Sequence, residues 1–160
     1  MPRFERRLDQ GYRCAGFRDS AGQVVSYIWI ARGASAPNRV AILARCRGDV
    51  RRSDVIFWDC RTAPGHEGRG LYRTALRLAS AQLAASGAGR AWIETEHGNT
   101  ASRRGIEGAG FKPVAEFAIV QALRLRLMRD KASGRWRRLP RPLRLGADVA
   151  VDQGSAAIIG

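Results

Sequence analysis

Short β-rich runs open the chain, and a helical period then replaces them. Residues 12–17 and 24–31 are β-rich and are joined by Asp19-Ser20-Ala21-Gly22, whose residue types favour a hairpin turn. Residues 40–46 predict a third strand, and 55–62, rich in β-branched and aromatic side chains, a fourth. Together these runs predict an antiparallel meander, preceded by a short, polar, helix-compatible stretch at 3–10.

From position 71 the pattern changes. Leu71, Tyr72, Ala75, Leu76, Leu78, Ala79 and Leu83 share one arc at 3.6-residue spacing, with Arg73, Arg77 and Ser80 opposite and Gln82 the one misfit. The spacing predicts an amphipathic helix over 71–86, ended by Gly87 and Gly89. A strand over 91–96 follows, then a short helix capped by Asn99 and closed by Gly110 ahead of Phe111. A long strand or hairpin fills 112–128. The run Arg135-Trp136-Arg137-Arg138-Leu139-Pro140-Arg141-Pro142 is basic and broken by proline. The expected organisation is one α+β domain over 1–131 and an irregular basic extension over 132–160.

Composition narrows the classes. A chain of 160 residues has the length of one domain, and 45% hydrophobic with 26% charged residues is a globular balance. No apolar run approaches the roughly 20 residues that cross a bilayer, and the first residues lack a secretory apolar stretch. A cytoplasmic protein without membrane partners is expected. All but Lys112 and Lys131 of the 28 basic residues are arginine, and against 14 acidic residues they leave a net charge of +14. That excess attracts anions such as nucleic acid or a phosphorylated cofactor, although composition and solubility account for it equally well. Cys14, Cys46 and Cys60 form no CxxC, and His66 and His97 stand far apart, so no metal site is expected.

The informative segment runs Thr62-Ala63-Pro64-Gly65-His66-Glu67-Gly68-Arg69-Gly70-Leu71-Tyr72. It joins a predicted strand to the amphipathic helix through glycines that allow close backbone approach, at a helix N-terminus whose dipole favours anions. A pyrophosphate fits such a loop, but two turn glycines opening a helix would look the same. No Gly-Lys-Ser/Thr follows, which excludes a Walker loop. The third glycine of a dinucleotide fingerprint is also absent.

The loop is followed by a helix, a strand, Asn99-Thr100-Ala101-Ser102 and then Gly110-Phe111. In that order the motifs resemble the GNAT superfamily of acyl-CoA-dependent N-acyltransferases, whose cofactor loop is R/Q-x-x-G-x-G/A and whose later motif is N-x-x-A/S with a closing G-F. The resemblance covers about residues 11–127. It implies a mixed, mostly antiparallel central sheet flanked by helices, with acyl-CoA in a cleft where two central strands splay. It also implies that part of the usual N-terminal strand and helices is lacking here, which leaves an open edge that a homodimer would cover. The implied cofactor is acetyl-CoA, held by Cys60, Arg61, Thr62, Glu67, Gly68, Arg69, Gly70, Leu71, Tyr72, Asn99 and Ser102.

This sequence departs from the family at three positions. Glu67 stands where Arg or Gln begins the loop, Tyr72 where Gly or Ala is usual, and Ile106 where many members carry a tyrosine that protonates the departing thiolate. A neutral amine must attack the thioester, so a carboxylate or His must take its proton. The candidate bases are Glu96, first, then Asp59, His97 and Glu94. Asp59 would equally pair with an arginine, and Glu94 would equally face solvent. Ser102, a water on Asn99, or solvent would meet the thiolate, while Cys60 reads as an inert strand cysteine.

The function implied is acetyl transfer from acetyl-CoA to a primary amine of a small molecule or peptide. The alternatives are an acceptor amine on tRNA or the ribosome, or a non-catalytic acyl-CoA- or nucleic-acid-binding module.

Overall fold

The computed structural model describes residues 2–33, 50–122, 125–138 and 155–159. Its first helix, α1 (Pro2–Asp9), leads into the hairpin β1 (Arg13–Arg18) and β2 (Val24–Arg32). Asp19 sets the turn: its Oδ1 accepts from the N–H groups of Ala21 at 3.0 Å and Gln23 at 2.9 Å. Strand β3 (Val55–Thr62) pairs antiparallel with β2, completing a three-stranded meander. The strand expected at 40–46 lies outside the described residues.

The amphipathic stretch forms α2 (Leu71–Ala85), which buries Ala75, Leu76, Ala79 and Leu83. It carries the chain across the sheet so that β4 (Ala91–Glu96) lies parallel to β3, a pairing that needs a crossover. Asn99 caps α3 (Thr100–Gly108) by accepting from the Ser102 N–H at 3.0 Å, and Gly110 ends it at a φ of 99°. The stretch expected as a strand or hairpin is a hairpin of β5 (Pro113–Ala122) and β6 (Leu125–Asp130).

Of the extension expected to be irregular over 132–160, residues 139–154 and 160 lie outside the described residues, and strands occur in the part that is described. Trp136–Arg138 (β7) adds to β6, and Ser155–Ile159 (β8) inserts between β4 and β5, antiparallel to both. Among the described residues the sheet order is β1-β2-β3-β4-β8-β5-β6-β7, and β3–β4 is its parallel pair. A short Ser-Ala-Ala-Ile-Ile run gains a strand here because each edge it meets supplies a backbone ladder.

The core lies on both faces of the sheet. Ile28, Ile30, Val55, Phe57 and Ile93 pack beneath α2 and α3 with Leu76, Ile106 and Phe111. On the other face Trp29, Ile56, Trp58, Trp92, Phe117 and Met128 form a second cluster, against which Phe4 of α1 packs. Buried on both sides, β2 reads as a nearly continuous apolar run. Asp54, fully buried at the start of β3, accepts from Trp92 Nε1 at 2.8 Å, from the Arg51 and Arg90 N–H groups, and from the Arg90 guanidinium at 3.0 Å. Burial works to raise its pKa, but these donors outweigh it and hold the carboxyl below its ordinary value. Among the described residues no helix is long and apolar enough to cross a membrane.

Candidate functional site

The parallel ladder of β3 and β4 ends at Phe57 and Ile93. Beyond that pair β3 stays with β2, through Tyr27 opposite Arg61 and Ser26 opposite Thr62. Strand β4 turns instead to β8, with Glu94 opposite Ile158 and Glu96 opposite Ala156. Two adjacent strands therefore separate, and a cleft of about 1170 Å³ opens between them, roofed by the glycine loop and the first turns of α2 and α3.

A bulge shapes the β3 wall. Trp58 pairs with Trp29 and Arg61 with Tyr27, so Asp59 and Cys60 together face the single residue Ile28. Asp59 takes up the extra length at a φ of 44°, the one non-glycine positive φ among the described residues. The phase of the strand shifts with it: Trp58 packs in the cluster on the α1 face, whereas Cys60 packs on the α2 face. The Arg7 guanidinium donates to Asp59 Oδ2 at 2.6 Å and lies 4.5 Å from the Trp58 ring centroid and 5.0 Å from that of Trp29. Arg61 Nε reaches Asp59 Oδ1 at 3.4 Å.

Gly68 and Gly70 both sit at a φ of 74°, where a side chain is strained. A Cβ on Gly68 would meet nothing within 4 Å, and one on Gly70 only Arg73 Nη2 at 3.4 Å. Gly70 is also the N-cap of α2 and offers no side-chain acceptor, so the orphan N–H groups of the first turn have no side-chain cap. Glu67, the residue of wrong sign for a phosphate loop, is exposed and engaged within the loop: its Oε2 accepts from the Gly65 N–H at 2.8 Å. Arg61, Arg69, Arg73 and Arg104 also line the cleft. This arrangement of backbone donors and guanidinium groups suits a polyphosphate.

Every residue expected to hold the cofactor lines this cleft: Cys60, Arg61, Thr62, the loop 67–72, Asn99 and Ser102. Of the candidate bases, Asp59, Glu94 and Glu96 also line it. His97 does not. Its Nδ1 lies 3.3 Å from Glu116 Oε1, and Glu116 also pairs with Lys131. Cys60 is inert as a nucleophile, because burial pushes its thiol up to about 12.

Sequence reasoning missed two features. Arg7, in a stretch read only as helix-compatible, reaches the bulge. Ile106 is fully buried in the core beneath α2 rather than in the cleft, and the phenol that does enter the cleft comes from Tyr72. The signal for the second was Gly105, beside Ile106 in the predicted helix: a Cβ there would lie 2.6 Å from Tyr72 Cδ1. Among the described residues no cluster of three metal-ligating side chains occurs.

No protein-family model matches the sequence, and neither does the sequence of any curated protein. The fold, by contrast, is that of the GNAT N-acetyltransferases. YncA from Salmonella typhimurium, solved with its cofactor acetyl-CoA, superposes at a TM-score of 0.59 with 19% identity, over 98% of this chain and 67% of its own. The ribosomal-protein-alanine N-acetyltransferase of Brucella melitensis gives 0.59 at 17% identity, over 98% and 72%. The GNAT phosphinothricin acetyltransferase of Sinorhizobium meliloti, in complex with acetyl-CoA, gives 0.58 at 16%, over 98% and 64%.

Proposed function

We propose that this protein is an acyl-CoA-dependent N-acetyltransferase that acetylates a primary amine. The observation that carries the reading is the separation of β3 and β4 beyond Phe57 and Ile93, with a glycine loop and four arginines lining the cleft it opens. These residues fit acetyl-CoA. The first-turn amides of α2 and the guanidinium groups of Arg61, Arg69, Arg73 and Arg104 would hold its phosphates, and Asn99 and Ser102 line the same cleft. Acetyl-CoA supplies an activated acyl carbon when bound.

The chain's own residues supply the rest. The β3 edge at 60–62 has no β4 partner, so those of its amides that do not serve the ladder with β2 would be the donors for a developing oxyanion. An acceptor amine with a pKa near 10.4 must lose a proton before it attacks. Glu96, exposed in the cleft wall, is the base we assign. Asp59 is less suited, since its carboxylate is committed to Arg7 and Arg61. His97 is directed to Glu116.

The test is release of free CoA thiol from acetyl-CoA in the presence of a panel of primary amines: small polyamines, amino acids and peptide N-termini. Amine-dependent release that saturates supports the reading. Acetyl-CoA binding with no release for any amine would favour a non-catalytic binding module.

A further inference from the structure

Trp136 is 52% exposed, whereas the chain's other three tryptophans, Trp29, Trp58 and Trp92, are buried. Strand register decides its surroundings. On β7, Trp136 stands opposite Arg129 and Arg138 opposite Leu127, while Arg137 stands opposite Met128, which is fully buried in the core. On β5, Ala118 stands opposite Arg129 and Val120 opposite Leu127. Alternation along the strands therefore gathers Ala118, Val120, Leu127, Arg129, Trp136 and Arg138 on the face of the sheet that points away from Met128 and its cluster. Of these, Val120, Arg129, Trp136 and Arg138 are exposed.

The hairpin that carries this face has a firm turn. Asp130 Oδ1 accepts from the N–H groups of Ala132 at 2.9 Å and Ser133 at 3.1 Å. The Gly134 N–H donates to the Asp130 carbonyl at 2.8 Å, and Gly134 closes the turn at a φ of 67°. The Arg129 guanidinium lies 5.9 Å from the Trp136 ring centroid. None of the six residues on the face is acidic. The carboxylates that β5 and β6 do carry are engaged within the protein, Asp130 in the turn and Glu116 with His97 and Lys131, each at 3.3 Å.

We propose that this face binds single-stranded RNA, with a base stacked on Trp136 and the flanking phosphates on Arg129 and Arg138. An exposed indole offers a π-face to any unpaired base, and guanidinium groups beside it offer planar forks to phosphate oxygens. A duplex keeps its base faces inside the stack, whereas the loops and ends of RNA leave bases free to stack on an aromatic side chain. The net charge of +14 draws such a polyanion from a distance. None of these residues lines the cleft between β3 and β4, so the surface is separate from the proposed cofactor site and goes beyond the function proposed above.

The experiment titrates labelled oligouridine with the full chain at several salt concentrations, reading fluorescence anisotropy and the quenching of tryptophan emission. Because the other three indoles are buried, quenching reports Trp136. Saturable binding with quenching is expected. Trp136→Ala should weaken it about tenfold or more, and Trp136→Phe should restore most of the loss, since a phenyl ring also stacks. Arg129→Gln and Arg138→Gln should each make the slope of log affinity against log salt shallower by about 0.7, the share of one phosphate contact on a single strand. Saturating acetyl-CoA should leave oligouridine affinity unchanged.

Wild-type affinity in Trp136→Ala overturns the stacking surface, and displacement of oligouridine by acetyl-CoA puts the RNA in the cleft and overturns it as well. Tighter binding to a DNA duplex, or to phosphatidylserine vesicles, than to oligouridine overturns the single-strand assignment. If Trp136→Ala loses its cooperative thermal melt, Arg138→Gln decides, and an unaltered salt slope there contradicts the proposal. No readout here uses acetyl transfer, so a chain that binds RNA but releases no CoA thiol would contradict the proposed function alone.

Discussion

Arg7 of α1 donates to Asp59 at the bulge of β3, 52 positions away in sequence, across 2.6 Å. The pair joins the first helix to the point where the cleft begins. Asp59 is held at a φ of 44°, a conformation that costs a side-chain-bearing residue about 1–3 kcal/mol. The ion pair, together with the contact of the Arg7 guanidinium with the rings of both Trp29 and Trp58, stabilises that strained bulge.

Arg7→Ala should therefore lower unfolding free energy by about 2–4 kcal/mol, since it leaves a partly buried carboxylate with only exposed Arg61. Arg7→Lys should recover little of this, because a compact ammonium cannot lie against two indoles while donating to Asp59 as the planar guanidinium does. Urea denaturation of the three proteins measures both effects. Equal stability of the lysine variant and the wild type would show that charge alone holds the bulge.

Glu96→Gln should lower kcat by about 10²–10⁴-fold and leave the acetyl-CoA KM nearly unchanged, as removal of a general base does. Steady-state kinetics with a productive amine reads both constants. Normal turnover in this variant would move the role to Glu94, which lines the same wall.

Asp54 gives the fold an acid limit. Its native pKa lies below the ordinary carboxylate value, so the unfolded chain binds its proton first as pH falls. The stability it contributes is complete above pH of about 4 and is lost as pH drops from there through the lower native value. Asp54→Asn should flatten that loss while lowering the melting temperature at neutral pH, because Arg90 loses its buried counter-charge. Thermal melts across the acid range test both parts.

Strand β8 makes a prediction of its own. Ser155–Ile159 pairs with β4 on one side and β5 on the other. Truncation before Ser155 should expose both edges and abolish a cooperative melt, with aggregation the visible result. A truncated chain that melts like the full one would show that β4 and β5 tolerate separation.

Local elements were legible wherever local chemistry decides them. The Asp19 turn, the arc of α2 and the Asn99 cap each rest on neighbours within a few positions. The strand at 155–159 was not legible, because nothing in Ser155-Ala156-Ala157-Ile158-Ile159 names its partners and both ladders are long-range. The bulge was hidden for a related reason. Val55 to Thr62 reads as an unbroken strand, and the extra residue becomes visible only in the register against β2. Motif order pointed to the residues expected to hold a cofactor, but the orientation of Tyr72 depends on how α2 lies against Gly105.

The central claim is that the cleft between β3 and β4 holds acetyl-CoA on the glycine loop, and calorimetric titration of the full chain with acetyl-CoA tests it most directly. The account predicts saturable binding at one equivalent per chain, with a dissociation constant at or below the millimolar range that working enzymes show for their substrates. It also predicts at least about a tenfold loss in Gly70→Val, where a β-branched side chain would strain a φ of 74° at the N-terminus of α2. No heat of binding at millimolar acetyl-CoA, or wild-type affinity in a folded Gly70→Val, would contradict it.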